Sequence, residues 1–251
     1  MDEYPVYSYP PGLFARLARD VILLRRRDFH VDAKACIDSL IPPLQILGEE
    51  NIPQQGPCVL TVNHYHRPGF GAQWLALAIS TTVPVRVHWV MTAEFTYQRR
   101  WYAPFAARVS RIVLKRLADI YGFTAMPPMP PRPRDVAARA SAVRAVLEYV
   151  KCTDEPVVGL APEGFDSPTS ALARPPNGLG RFGLYLSRAG LSFVPVGAYE
   201  SKGAFHLHFG VRYLLRVSDD LRTDDQDACA ASIIMKRIAE LLPSHLRGEF
   251  A

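Results

Sequence analysis

Residues 61–71, Thr-Val-Asn-His-Tyr-His-Arg-Pro-Gly-Phe-Gly, crowd two imidazoles, an amide and a guanidinium into a short stretch. An imidazole gains and loses a proton near neutral pH, so His64 and His66 are the candidates for acid–base work. The preceding residues 58–62 are apolar and β-branched and follow Gly56-Pro57, which predicts a buried strand stopping at Asn63 and His64. Ligands of open α/β sheets collect at strand ends. His64 is therefore expected on a rigid platform facing a crevice, with Pro68, Gly69 and Gly71 turning the chain into a helix over 73–80. In extended chain His66 would project as His64 does, but a turn here leaves its direction open.

Other chemistry-bearing patterns weigh less. Gly178-Leu-Gly180-Arg-Phe-Gly183 matches the dinucleotide-binding Gly-x-Gly-x-x-Gly, and Glu200 ends the next predicted strand where a ribose-binding acid would fall. Residues 172–177, with Pro175-Pro176, are unfit as the strand that motif requires, which leaves the match without its context. His206 and His208 alternate on a predicted strand and share a face, yet no third ligand accompanies them, so a half-exposed strand face is the better reading and no metal is expected. The absence of a Gly-x-Ser-x-Gly elbow and of a Gly-Lys-Ser/Thr loop disfavours serine hydrolysis and nucleotide hydrolysis.

The elements that must position these groups follow from periodicity. Residues 13–27 place Leu13, Leu17, Val21 and Leu24 at helical spacing, with Arg16, Arg19 and Arg25 to Arg27 as a basic face and end. Such a helix suits either a bilayer interface or the protein's own core. Further helices are expected over 33–40, 104–119, 134–150 and 181–189, and strands over 44–47, 85–91, 157–161, 193–199 and 205–213. Residues 126–133, Met-Pro-Pro-Met-Pro-Pro-Arg-Pro, predict a stiff extended loop. Thr223-x-x-Gln226 predicts a capping box opening the last helix, with Ile234, Ile238 and Leu241 as its buried stripe. Strands alternating with helices predict an α/β fold: a single domain, a largely parallel central sheet flanked by helices, and an N-terminal helical element over residues 1–45.

Composition agrees with one large core, since 49% of the 251 residues are hydrophobic. Of the 29 basic residues 24 are arginine, a bias that suits forked contacts to phosphate or carboxylate, although an arginine-favouring codon usage would produce it too. The net charge of +5 does not choose among anionic lipid, phosphorylated substrate and nucleic acid. Four cysteines with no Cys-x-x-Cys pair predict neither disulfides nor zinc, and a reducing compartment. Without a basic start, apolar run and small-residue cleavage site, no secretory signal is expected. Residues 72–91 contain Gln73, Thr81, Thr82, Pro84 and Arg86 and read as helix, turn and strand rather than a membrane span.

Taken in order, Leu47-Gly48-Glu49-Glu50-Asn51-Ile52-Pro53, Gly56-Pro57, the strand and Asn63-His64 resemble the entry to the first motif of the 1-acylglycerol-3-phosphate acyltransferase family. Leu160-Ala161-Pro162-Glu163-Gly164 resembles that family's Phe-Pro-Glu-Gly-Thr-Arg-Ser block, and Val194-Pro195-Val196 its downstream Val-Pro-Val strand. The resemblance implies a divergent glycerolipid acyltransferase-like domain over 46–251. It also implies acyl transfer from acyl-CoA or acyl carrier protein to a hydroxyl of a lysophospholipid or related lipid. No cofactor beyond that co-substrate and no nucleic acid are implied. Residues 1–45 would associate with the cytoplasmic face of a membrane as a peripheral segment. The implied catalytic residues are His64, as base, and Glu163. Asn63, His66, Arg67, Gly69, Pro162, Gly164, Phe165 and Asp166 would line the substrate.

Two departures from the family pattern bear on the chemistry. The family places an Asp five positions after the His, and here that position is Gly69. Neutralising the corresponding acid of a serine-protease triad costs about ten-thousandfold in rate. Glu163 or Asp166 fills the gap, His66 shares the work, or the site binds without turnover. The family's phosphate-holding arginines are also missing: Phe165-Asp166 stands for Thr-Arg, and no arginine falls within 122–127. Arg67, Arg132 and Arg134 are the available substitutes.

Overall fold

The strands Cys58–Val62 and Val157–Leu160 are buried at every position, as unbroken apolar runs covered on both sides by helices should be. The computed structural model describes residues 4–95, 103–129, 132–165, 167 and 169–251. In chain order the elements are α1 (Leu13–Leu23), α2 (Phe29–Ile37), β1 (Gln45–Leu47), β2 (Cys58–Val62), α3 (Gln73–Thr82), β3 (His88–Thr92), α4 (Ala103–Tyr121), β4 (Thr124–Met126), α5 (Val136–Cys152), β5 (Val157–Leu160), α6 (Leu179–Arg188), β6 (Ser192–Ser201), β7 (Ala204–Phe209) and α7 (Thr223–Ala239). They build one seven-stranded sheet in the order β1-β7-β6-β2-β5-β3-β4. β6, β2, β5, β3 and β4 run parallel. β7 returns antiparallel on β6, and β1 lies parallel to β7. The α/β, largely parallel architecture expected from the sequence is the one formed.

Several local expectations shift. β4 was not foreseen, because three residues ahead of Pro127-Pro128 carry too little pattern to register as a strand. β7 stops at Phe209 instead of continuing to Tyr213: the Gly210 amide turns onto the Pro195 carbonyl at 2.9 Å, and Tyr213 bridges Phe193 separately. The capping box does not form. The last helix begins at Thr223 with Arg222 as its cap residue and no side-chain cap, while the Gln226 amide reaches back to the Ser218 and Asp219 carbonyls. Asp224 and Asp225 in its first turn complement the helix dipole instead. Ile234 and Ile238 are buried in its stripe; Leu241 lies just beyond the helix, partly covered. Of the expected extended loop over 126–133, Pro130 and Pro131 lie outside the described residues.

The glycine pattern 178–183 serves packing. Gly178 adopts a left-handed φ of 93° at the start of α6, and a Cβ on Gly180 would lie 1.9 Å from the Asp227 carbonyl oxygen. The Asp227 carboxylate accepts the amides of Gly178 at 2.6 Å and Arg181 at 2.7 Å, so the donors a phosphate would need are already satisfied. Gly180 and Gly183 let α6 lie against α7, while Gly178 supplies the left-handed turn ahead of it.

The N-terminal 45 residues share the main core rather than standing apart from it. Leu13, Ala33, Cys36 and Leu40 belong to the same buried cluster as the strands, and the Tyr7 ring meets Phe70 and Trp74 at 5.3 and 4.9 Å. α1 also meets α4 through a second small cluster of Val21, Ile120 and Tyr121, edged by Leu17 and Leu117. Arg27 ties this corner together, its guanidinium shared between Asp20 and Asp32 while the Tyr121 hydroxyl donates to Asp32 at 2.7 Å.

His88 at the start of β3 is buried, stacks on Tyr149 at 4.0 Å and pairs its Nε2 with the Thr124 hydroxyl at 2.9 Å. Burial holds its pKa down to about 4. The unfolded chain, with an ordinary imidazole near 6.5, binds more protons between those two values, so stability falls as pH drops through that window. Urea unfolding should show about 2 kcal/mol lost between pH 7 and pH 5 that His88→Gln, which cannot titrate, does not lose.

Candidate active site

Because β2, β5 and β6 are parallel neighbours, their C-terminal ends share one edge of the sheet. The chain leaves β5 on one side of β2 and enters β6 on the other, which makes the end of β2 a topological switch point of the kind that opens a crevice. Residues 63–71 and 161–165 leave the sheet here, while β6 runs on past the end of β2 to Ser201, paired with β7.

Asn63 is the first residue past β2 and is buried. Its side chain donates to the Ala198 carbonyl at 2.8 Å and accepts the Ala198 amide at 2.7 Å, continuing the β2–β6 ladder by one rung. Glu163, only 1% exposed, reaches across from the loop after β5. One carboxylate oxygen accepts the His64 main-chain amide at 2.5 Å and the other accepts the Ala173 amide at 2.8 Å. Burial pushes the Glu163 pKa up, opposed by those two amides and by the neighbouring His64. The sequence-predicted pair His64 and Glu163 therefore does meet, with the carboxylate bonded to the histidine's backbone. Glu163 fixes where two loops stand, and the half-buried His64 is carried on one of them.

Gly69 explains its own presence. Phe70 donates its amide to the Arg67 carbonyl at 3.0 Å, Pro68 and Gly69 occupy the central positions, and Gly69 has a φ of 85°. This is the signature of a type II turn, whose third position demands a left-handed residue and disfavours one bearing a Cβ. A turn stands where the resemblance expects a carboxylate.

Arg67, expected to face an anionic acceptor, has its fork closed on Glu200, one bond of which measures 2.7 Å from Nη2 to Oε1. The Glu200 side chain is 2% exposed and also accepts the hydroxyls of Tyr7 at 2.7 Å and Tyr65 at 3.0 Å. Burial first, then Glu200, raises both phenol pKa values far above the ordinary range, so both remain neutral donors. The Arg67 guanidinium also lies 3.9 Å from the centre of the Tyr4 ring. No local sequence signal links Glu200, Tyr4 or Tyr7 to this site, because their partners lie far away in the chain.

The remaining expected residues are placed as follows. The His66 carbonyl accepts the Ser170 hydroxyl, and His66 itself is half-buried. Pro162 is buried, Gly164 adopts a φ of 69° at the bend, and Phe165 is exposed. Asp166 lies outside the described residues. Arg132 pairs with Glu94 and Asp135, while Arg134 is exposed on the turn before α5. Away from this edge, His206 stacks on Tyr199 at 5.1 Å and His208 Nδ1 lies 3.1 Å from the Leu241 carbonyl. Among the described residues no three His, Cys, Asp or Glu side chains group as a metal site.

A family model described as Acyltransferase matches residues 43–198, which include Asn63, His64 and Glu163. Among solved structures, the chain is similar to the 1-acyl-sn-glycerophosphate acyltransferase PlsC from Thermotoga maritima, at 13% identity over 91% of this chain and 88% of that one, with a TM-score of 0.48. No curated protein matches.

Removing the Glu163 carboxylate would leave two buried amides without an acceptor. Glu163→Ala should lower the unfolding free energy by about 2 to 6 kcal/mol in urea titrations, at a cost of about 1 to 3 kcal/mol per unsatisfied group. Glu163→Gln keeps one acceptor oxygen and should fall between that variant and the wild type.

Proposed function

The chain belongs to the acyltransferase family, and from that premise we propose that it moves a fatty acyl group from an acyl-CoA or acyl-carrier-protein thioester to a hydroxyl of a lysophospholipid or related lipid acceptor. The observation that carries the reading is the position of His64. It stands one residue past Asn63 at the end of the central β2, its backbone held by a buried carboxylate from the loop after β5.

In the proposed reaction the His64 imidazole takes the acceptor hydroxyl's proton as the oxygen attacks the thioester carbonyl. The tetrahedral intermediate then collapses, the C–S bond breaks, and the imidazolium returns the proton to the departing thiolate, giving ester and free thiol. His64 Nδ1 is buried, so Nε2 is the nitrogen assigned to this proton transfer. The Gly164 backbone, left-handed at the bend beside Glu163, is the candidate for bordering the developing oxyanion. Phe165, exposed after the bend, and His66, half-buried, would border the acceptor.

The turn at Gly69 favours a second reading, a homologue that binds acyl-CoA or lipid without turning it over. It places no carboxylate five positions after His64.

The same proposal rests α1 on the cytoplasmic face of a membrane, where a lipid acceptor would be found. Support comes from Phe14, Ile22, Leu23 and Leu24, all exposed large apolar side chains on or just after that helix. Among the described residues no helix is long and apolar enough to cross a membrane.

Thiol release from acyl-CoA in the presence of a lysolipid panel separates the readings. Acceptor-dependent release that His64→Ala lowers by about a hundredfold to ten-thousandfold supports transfer, the range typical of a lost general base. Saturable binding of acyl-CoA without release establishes the binder.

A further inference from the structure

A helix crossing from one parallel strand to the next needs a single apolar face, the one laid on the sheet. α4, which joins β3 to β4, has two. Ser110, Leu114, Ala118 and Tyr121 form its buried row. One position earlier on each turn runs a second row, Phe105, Val109, Val113 and Leu117, spaced four apart. The C-terminal end of this row is covered, since Leu117 packs beneath α1 against the cluster containing Val21. Its N-terminal end is open: Phe105 is 74% exposed, and Val109, Val113 and the flanking Ile112 are exposed as well. α1 repeats the pattern. Leu13 and Val21 point inward and Leu17 meets α4, while Phe14, Ala18 and Ile22, again four apart, are exposed together with Leu23 and Leu24.

The two apolar ridges are set among cations. Arg16, Arg25 and Arg26 on and after α1, and Arg108 and Lys115 on α4, are exposed, as are Arg19 and Arg111, which are paired with Asp20 and Glu94. Over residues 13–27 and 105–121 the only acids are Asp20, which is buried, and the exposed Asp119. A second copy of the chain docked here by two-fold symmetry would bring these like charges face to face. An anionic bilayer meets both demands, apolar ridges entering the acyl boundary and arginines among the headgroups.

We propose that the first half of α4 is a second membrane-contacting helix, seated with α1 on an anionic lipid surface. This rests on the membrane contact proposed for α1 and extends it to a part of the chain far from the N-terminus.

The test is flotation of the full chain with vesicles of phosphatidylcholine alone and of phosphatidylcholine mixed with phosphatidylglycerol. The wild type should float with the anionic vesicles, and Val109→Glu/Ile112→Glu should lower that partition by about tenfold or more with an unchanged thermal melt. Should that pair melt early, Arg108→Gln/Lys115→Gln takes its place and should weaken binding to the anionic vesicles alone. Emission from a tryptophan placed by Phe105→Trp should also be quenched by brominated acyl chains. If the α4 variants float as the wild type does while Phe14→Glu/Ile22→Glu does not, the α4 assignment is overturned and α1 contact stands. Failure of the wild type to float with either vesicle overturns both, whereas acyl transfer is read separately by thiol release. A concentration-dependent dimer in sedimentation, dissolved by Val109→Glu/Ile112→Glu, overturns the proposal in favour of a second copy.

Discussion

A carboxylate at 1% exposure, bonded to two main-chain amides from different loops, holds this edge of the sheet in register. Glu163 is ninety-nine positions from His64, and their meeting depends wholly on β2 and β5 being adjacent parallel strands. Burying an ionised group is costly unless its oxygens are satisfied, and amide donors on both oxygens offset that cost. The arrangement makes the histidine's backbone position a consequence of the sheet. Asn63 adds to this by pairing with Ala198 as though β2 ran one residue further.

The arginine-rich composition has a partly internal explanation. Arg27 spans Asp20 and Asp32, Arg67 closes on Glu200, and Arg132 joins Glu94 to Asp135. In the Glu94 cluster, Arg132 and then Arg111 hold the carboxyl below its ordinary range. Forked donors suit such sites because two parallel hydrogen bonds satisfy a carboxylate that water no longer reaches. Arg16, Arg25, Arg26 and Arg108 are exposed beside the apolar side chains that α1 and α4 leave uncovered. One residue type thus meets two separate demands, stapling loops at the sheet edge and presenting charge outward.

Glu200 shows how the first motif is shaped without an acid at position 69. It gathers Arg67 and Tyr65 from that motif and Tyr7 from the N-terminal segment. The type II turn that follows needs Gly69 for its left-handed backbone, so turn geometry and an Asp at the same position are at odds. The loop is therefore held by a carboxylate at the end of β6 rather than by one within the motif.

Six of the seven strands, the helices and the order of the motifs were legible in the sequence, because periodicity and turn chemistry act between residues a few positions apart. The α/β alternation follows from them, as do Asn63, His64 and Glu163 as the residues of interest. Only the folded chain decided how those residues connect: that Glu163 grips the backbone of His64, that Arg67 is spoken for by Glu200, and that Tyr7 joins from 193 positions away. Only it showed that Gly180 and Gly183 fit one helix against another, and that α4 leaves half a ridge bare. The physical reason is the same in each case. A hydrogen bond or a covered face depends on which elements become neighbours, and strand order, set by packing the whole core at once, is not written in any window of adjacent residues.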